Sequence, residues 1–119
     1  MDRLFVCYPK CTTCQKAERW LKEHGIAAEM RNIKEQNPSQ EELTRWFRAS
    51  GLPLKKFFNT SGMVYREMEL SKKLPGMSEE EQLALLSTDG MLVKRPILTD
   101  GNTVLVGFHE KEWEQALLK

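Results

Sequence analysis

The sequence predicts a three-layer α/β fold, and three observations carry that prediction. A short apolar run, "RLFVCY" (3–8), is followed by a helical pattern and then by a second strand-like stretch, "AAEMRNI" (27–33). Near the other end two β-prone stretches flank Asp100-Gly101-Asn102, and a helical pattern follows them. Between these halves, residues 37–90 read as helical, with turn signals separating the pieces.

Each element has a local reason. Pro9 ends the first strand, and from Cys14 the apolar positions Cys14, Ala17, Trp20 and Leu21 recur at helical spacing. Gly25 supplies the left-handed residue that closes this helix, and Ile26 packs back on it. Strand, helix, strand in that order gives a parallel crossover unit. "NPSQEELTRWFRASG" (37–51) is a second helix, with Ser39 and Glu42 at capping-box spacing and Leu43, Trp46 and Phe47 as its apolar stripe. Residues 52–62 form a loop or short helix and a turn; 64–74 read as a third helix. Ser78 and Glu81 open another capping box, for a helix whose Leu83, Leu86 and Ala84 face inward. "ILTD" (97–100) and "TVLVGF" (103–108) flank the hairpin turn. The last segment places Trp113, Ala116 and Leu117 on one helical face. The order β-α-β, helical insert, β-β-α is the plan of a thioredoxin/glutaredoxin-like fold. It makes one domain of 1–119, with 1–36 and 91–119 as core and 37–90 as insertion.

A chain of 119 residues with 40% apolar and 29% charged side chains can bury a core without disulfide staples, which argues against disorder. Eighteen basic residues face seventeen acidic ones, so no electrostatic case exists for direct binding to a nucleic-acid backbone. No stretch approaches the ~20 apolar residues of a membrane span, and the start lacks an export pattern. A cytoplasmic monomer is the expectation.

Cys11 and Cys14 form a C-x-x-C pair where strand gives way to helix. Metal binding, burial and redox chemistry each use such a pair. A structural zinc site takes four ligands. The chain offers Cys7, Cys11, Cys14, His24 and His109, with no second C-x-x-C and no histidine at finger spacing, so no metal is expected. Burial suits Cys7, inside an apolar strand. It suits Cys11 poorly, because Cys11 follows Pro9 and Lys10 in a loop. The redox reading has a mechanism: just before the first helical turn, Cys11 faces unpaired backbone N–H groups and the positive end of the helix dipole, which favour thiolate. Lys10 and Lys16 add a smaller, screened contribution. Cys14, one turn later on the same face, can attack a bond made to Cys11 and release the product as an intramolecular disulfide. Cys11 is therefore the candidate nucleophile and Cys14 the resolving thiol.

"Lys94-Arg95-Pro96-Ile97" stands where thioredoxin-like folds place a proline, often cis, beside the active cysteine. Pro96 is the cis-proline candidate. A backbone bent there would present Arg95 toward Cys11, where a guanidinium binds an anion bidentately. The plainer alternative is a solvated Arg95 and a Pro96 that starts an edge strand. Trp20, Trp46 and Trp113 lie on apolar stripes and are read as core, His24 as a helix-end cap, and Asn59-Thr60-Ser61 as a polar turn.

"YPKCTTCQKAERWL" (8–21), the helical insert, "KFFNTSG" (56–62), "LVKRPIL" (92–98) and "VLVGFHEKEWEQAL" (104–117) together resemble the ArsC/Spx family over nearly the whole chain. That family comprises glutaredoxin-linked arsenate reductases, the redox-responsive regulator Spx and related small proteins. For the reductases the resemblance implies one cysteine that attacks arsenate, three arginines that hold it, and glutathione with glutaredoxin to resolve the product. The matching cysteine is Cys11 and one matching arginine is Arg95. "FFNTSG" holds no arginine and Phe108 stands at the third place, leaving Arg66 as a candidate anion-binding substitute. For the Spx branch it implies a C-x-x-C switch that binds the C-terminal domain of the RNA polymerase α subunit. The resulting expectation is a thiol–disulfide oxidoreductase with no bound cofactor, reduced by glutathione, thioredoxin or glutaredoxin. The alternatives are an Spx-like regulator and an interaction module with inert cysteines.

Overall fold

The computed structural model describes residues 3–118. Strand β1 (Leu4–Cys7) leads into helix α1 (Thr12–Glu23) and strand β2 (Glu29–Asn32). Helices α2 (Gln40–Ser50), α3 (Met63–Glu67), α4 (Leu70–Lys73) and α5 (Glu79–Leu86) follow, with short 3-10 turns between them. The hairpin β3 (Ile97–Thr99) and β4 (Val104–Val106) and helix α6 (Glu110–Leu117) complete the chain. The described strands form one sheet in the order β2-β1-β3-β4. β1 runs parallel to β2 from Leu4↔Glu29 to Cys7↔Asn32. It is antiparallel to β3 through Val6↔Ile97, and β3 is antiparallel to β4 through Leu98↔Leu105.

Side chains alternate across this sheet, and the alternation builds two cores. Val6, Ile97, Val104 and Val106 face one way, against Leu43 and Trp46 of α2, Leu83 and Leu86 of α5, and the rest of the insert. Phe5, Cys7 and Leu98 face the other way, against Cys14, Ala17, Trp20 and Leu21 of α1 and Trp113 of α6. Helices on both faces of a mixed sheet give the three-layer, thioredoxin-like α/β fold expected. All three tryptophans are buried. Among the described residues no helix is long and apolar enough to cross a membrane.

Both capping boxes form, Ser39 with Glu42 and Ser78 with Glu81. α1 ends at Gly25 (φ 65°), and His24 Nδ1 lies 2.8 Å from the Trp20 carbonyl oxygen. In the hairpin, Asp100 accepts the N–H groups of Thr103 (2.7 Å) and Asn102 (2.9 Å), which hold its carboxyl below the usual range.

Two expectations change. The single helix over 64–74 is two short helices, broken where Glu69 takes a left-handed conformation (φ 53°). Tyr65 and Leu70 are both buried but five residues apart, a spacing that one helical face does not bring together; the break turns both inward. Ala116 is exposed, so α6 rests on Trp113 with Leu117 partly covered. β2 is an edge strand with little burial, and Met30 is 51% exposed.

The insert is fastened to the sheet layers at three places. Phe58 bridges Val93, with Lys94 N–H donating to Phe57 O and Asn59 N–H to Leu92 O, both at 2.7 Å. Gly90 lies against the backbone of Ile33, just beyond β2. A third tie runs from β2 to α2: Arg31 holds Glu42 through two bonds of 2.7 Å. Hydrogen bonding from Arg31, opposed by partial burial and helped by the Ser39 N–H, holds the Glu42 carboxyl at about 2, against an ordinary 4.5. A depressed carboxyl stabilises the fold fully above its unfolded pKa, and that stability is lost as pH falls through the folded one. Glu42→Gln is therefore expected to lower stability at pH 7 by on the order of 2 kcal/mol and to flatten the acid limb between about pH 4.5 and 2. Urea titrations across that pH range measure both effects.

Candidate active site

Cys11 is the N-cap residue of α1, in extended backbone (φ −85°, ψ 123°), and its side chain makes no capping bond. Its N–H donates to Tyr8 O at 2.9 Å and its carbonyl accepts from Gln15 N–H at 3.0 Å. Gln15 Nε2 also donates to Pro9 O at 2.8 Å, which staples the loop to the helix. No acidic residue lies in the first turn. The half-buried Cys11 thiol thus stands at a helix start whose N–H groups no described side chain occupies, a place suited to negative charge.

Cys14, in the first turn of α1, is 2% exposed. Its Sγ accepts the Tyr8 N–H at 3.3 Å. Hydrogen bonding with Cys7, and then burial, push the Cys14 thiol up; the Tyr8 N–H and the Cys11 side chain pull the other way. All three cysteines are free thiols. The helix thus brings Cys11 and Cys14 together, with the first thiol open to solvent and the second sealed behind it.

The Arg95–Pro96 peptide bond is cis. The β1–β3 pairing ends at Val6↔Ile97, which leaves Arg95 beside Tyr8. The guanidinium lies over the Tyr8 ring, 5.4 Å from its centroid. Arg95 Nε and Nη1 are buried without a hydrogen-bond partner among the described residues. The sequence pointed Arg95 at Cys11; the structure sets it on Tyr8, whose carbonyl holds the Cys11 N–H. Arg66 is exposed on α3 and donates through Nη2 to Ser61 O at 3.2 Å; no described contact joins it to Cys11, Cys14 or Arg95. Phe108 packs on Trp113 (4.9 Å) and Trp20 (6.2 Å) and so belongs to the core beside α1. His109 is the N-cap residue of α6, without a side-chain capping bond.

Of two further residues at the site, the sequence assigns Tyr8 no role and marks Cys7 only as a buried strand residue, which it is. Tyr8 joins its parts: N–H to Cys14, carbonyl to Cys11, ring to Arg95. Its place between strand and Pro9 was the available signal. Cys7 touches Cys14, and strand alternation from Phe5 would have put it on the α1 side.

The ArsC family model matches residues 7–116. Bacillus subtilis YusI, described as uncharacterized, is 57% identical over 115 residues, covering 97% of this chain and 98% of YusI. The global transcriptional regulator Spx 2 of Oceanobacillus iheyensis is 32% identical over 107 residues, 90% of this chain and 78% of that protein. A crystal structure of an ArsC family related protein from Bacteroides fragilis has a TM-score of 0.94 at 57% identity, with 97% of each chain covered. Motif, fold and relatives agree: the chain belongs to the ArsC family.

Proposed function

We propose that this protein is a thiol–disulfide oxidoreductase in which Cys11 is the nucleophile and Cys14 the resolving thiol. The observation that carries the reading is the pairing of a half-exposed Cys11 at an uncapped helix start with a buried Cys14 in the next turn. Cys11 sulfur attacks a substrate disulfide, one substrate thiolate leaves, and a mixed disulfide remains on Cys11. Cys14, as thiolate, then attacks Cys11 Sγ; the second substrate thiolate leaves and the Cys11–Cys14 disulfide forms. Glutathione, glutaredoxin or thioredoxin returns both thiols by the reverse exchange. The unpartnered Arg95 N–H groups suit an anionic substrate group near Tyr8, such as a glutathione carboxylate or arsenate. With arsenate, Cys11 sulfur displaces an oxygen as water; a glutathione thiol then attacks Cys11 Sγ, and arsenite leaves with the electron pair.

Equilibration against graded ratios of reduced and oxidised glutathione tests the reading. The expected result is loss of two free thiols per chain and one disulfide that includes Cys14. Free thiols at every ratio, with the fold intact, would overturn it.

A second reading is favoured by the 32% identity to the regulator Spx 2: the same disulfide would alter a surface that binds the RNA polymerase α subunit. The reduced and oxidised samples of that titration, passed over immobilised α C-terminal domain, separate the two. State-dependent retention supports the switch, and passage of both forms supports the enzyme alone.

A further inference from the structure

We propose that Cys7 is a third redox thiol, which takes Cys14 over from Cys11 and moves the disulfide from the site's surface into the core. This inference rests on the reading of Cys11 and Cys14 as a redox couple.

Cys7 closes β1, and its side chain points into the layer that holds Cys14 and Cys11. Cys14 is the middle member of the three: it is packed in one buried cluster with Cys7, its Sγ accepts the N–H of Tyr8, the residue next to Cys7, and Cys11 lies one helical turn before it against the same cluster. A thiol–disulfide exchange needs an attacking sulfur, a central sulfur and a leaving sulfur. The order Cys7, Cys14, Cys11 along one packed cluster supplies them. Cys7 sulfur, as thiolate, attacks Cys14 Sγ of the Cys11–Cys14 disulfide. The Cys7–Cys14 bond forms, the Cys11–Cys14 bond breaks, and the electron pair leaves on Cys11 Sγ at the helix start. The proton given up by Cys7 passes to Cys11 or to water. No oxidant or reductant is consumed.

The exchange changes accessibility, not oxidation state. Cys7 and Cys14 are each 2% exposed, so the new disulfide is shielded from solution. Cys11 returns as a free thiol that can meet a second reactant while the first oxidation is held inside. An external thiol returns two electrons to the buried disulfide only by way of Cys11, and is itself oxidised to a disulfide.

Tryptic mapping reads the outcome directly. Cleavage after Arg3, Lys10 and Lys16 puts Cys7 in "LFVCYPK" and both Cys11 and Cys14 in "CTTCQK". A Cys11–Cys14 disulfide stays within one peptide; a Cys7–Cys14 disulfide joins two. The full chain, oxidised to one disulfide by oxidised glutathione and alkylated in mild acid before digestion, is expected to yield the joined pair with the alkyl group on Cys11. In Cys7→Ala the joined pair is absent and Cys11 labelling of the one-disulfide form drops at least tenfold. Cys7→Val, which also fills the volume, should behave the same way. One-disulfide wild-type protein with Cys7 alkylated and Cys11 blocked overturns the relay and leaves the redox couple standing. Absence of any disulfide removes the couple itself.

Discussion

Cys11→Ser is expected to lower turnover of a glutathione-linked disulfide substrate by roughly 10³-fold or more, the scale of losing a covalent nucleophile. The hydroxyl keeps the shape of the N-cap, and serine is a good capping residue, so thermal stability should hold or rise slightly. The loss would then be chemical. Cys14→Ser is expected to behave differently: the first attack proceeds and the mixed disulfide stays on Cys11. Intact-mass measurement after exposure to oxidised glutathione should show one glutathione per Cys14→Ser chain and a disulfide without adduct in the parent. The raised Cys14 thiol adds a pH signature: release of the bound thiol should quicken as pH rises and more Cys14 ionises. Parent-like turnover in Cys11→Ser would sink the mechanism, and so would prompt release of the adduct from Cys14→Ser.

The second large effect belongs to the fold. Gly90→Ala is expected to destabilise the protein by about 3 kcal/mol, the upper part of the range for an overpacked interior. Gly90 is buried, and a methyl group there would overlap the carbonyl oxygen and carbon of Ile33, with Asn37 Cβ also close. Backbone cannot swing aside as a flexible side chain can, so the 90–92 turn would have to lift from the end of β2. That turn leads into Val93 and Lys94, which tie the insert to the hairpin half. Gly76→Ala is the control, because nothing lies within 4 Å of a methyl group there. Urea midpoints should fall clearly for Gly90→Ala and change by less than about 0.5 kcal/mol equivalent for Gly76→Ala. Equal midpoints would mean that the Gly90 contact is slack.

The readable parts of the sequence were those ruled by local chemistry. Two capping boxes, the glycine after α1 and the Asp100 turn each depend on residues a few positions apart, and all four form. The cysteine pair was legible because three residues of helix set its spacing. What escaped was tertiary. The Glu69 break answers to where Tyr65 and Leu70 find cover, which no window of sequence records. The Arg31–Glu42 pair joins elements that only the folded chain brings together. Arg95 was placed at the right end of the sheet, but its stacking on Tyr8 depends on strand register beyond the last pair.

The outer strand, β2, carries one more consequence. Its free side offers unpaired peptide groups to any other chain, the usual opening for self-association into fibrils. Only four residues are on offer, and Glu29 and Arg31 flank Met30 along them. An approaching strand would have to strip water from Glu29 and crowd the Arg31–Glu42 pair for very few new bonds. The rim of the sheet therefore offers a second chain little purchase for strand-by-strand pairing.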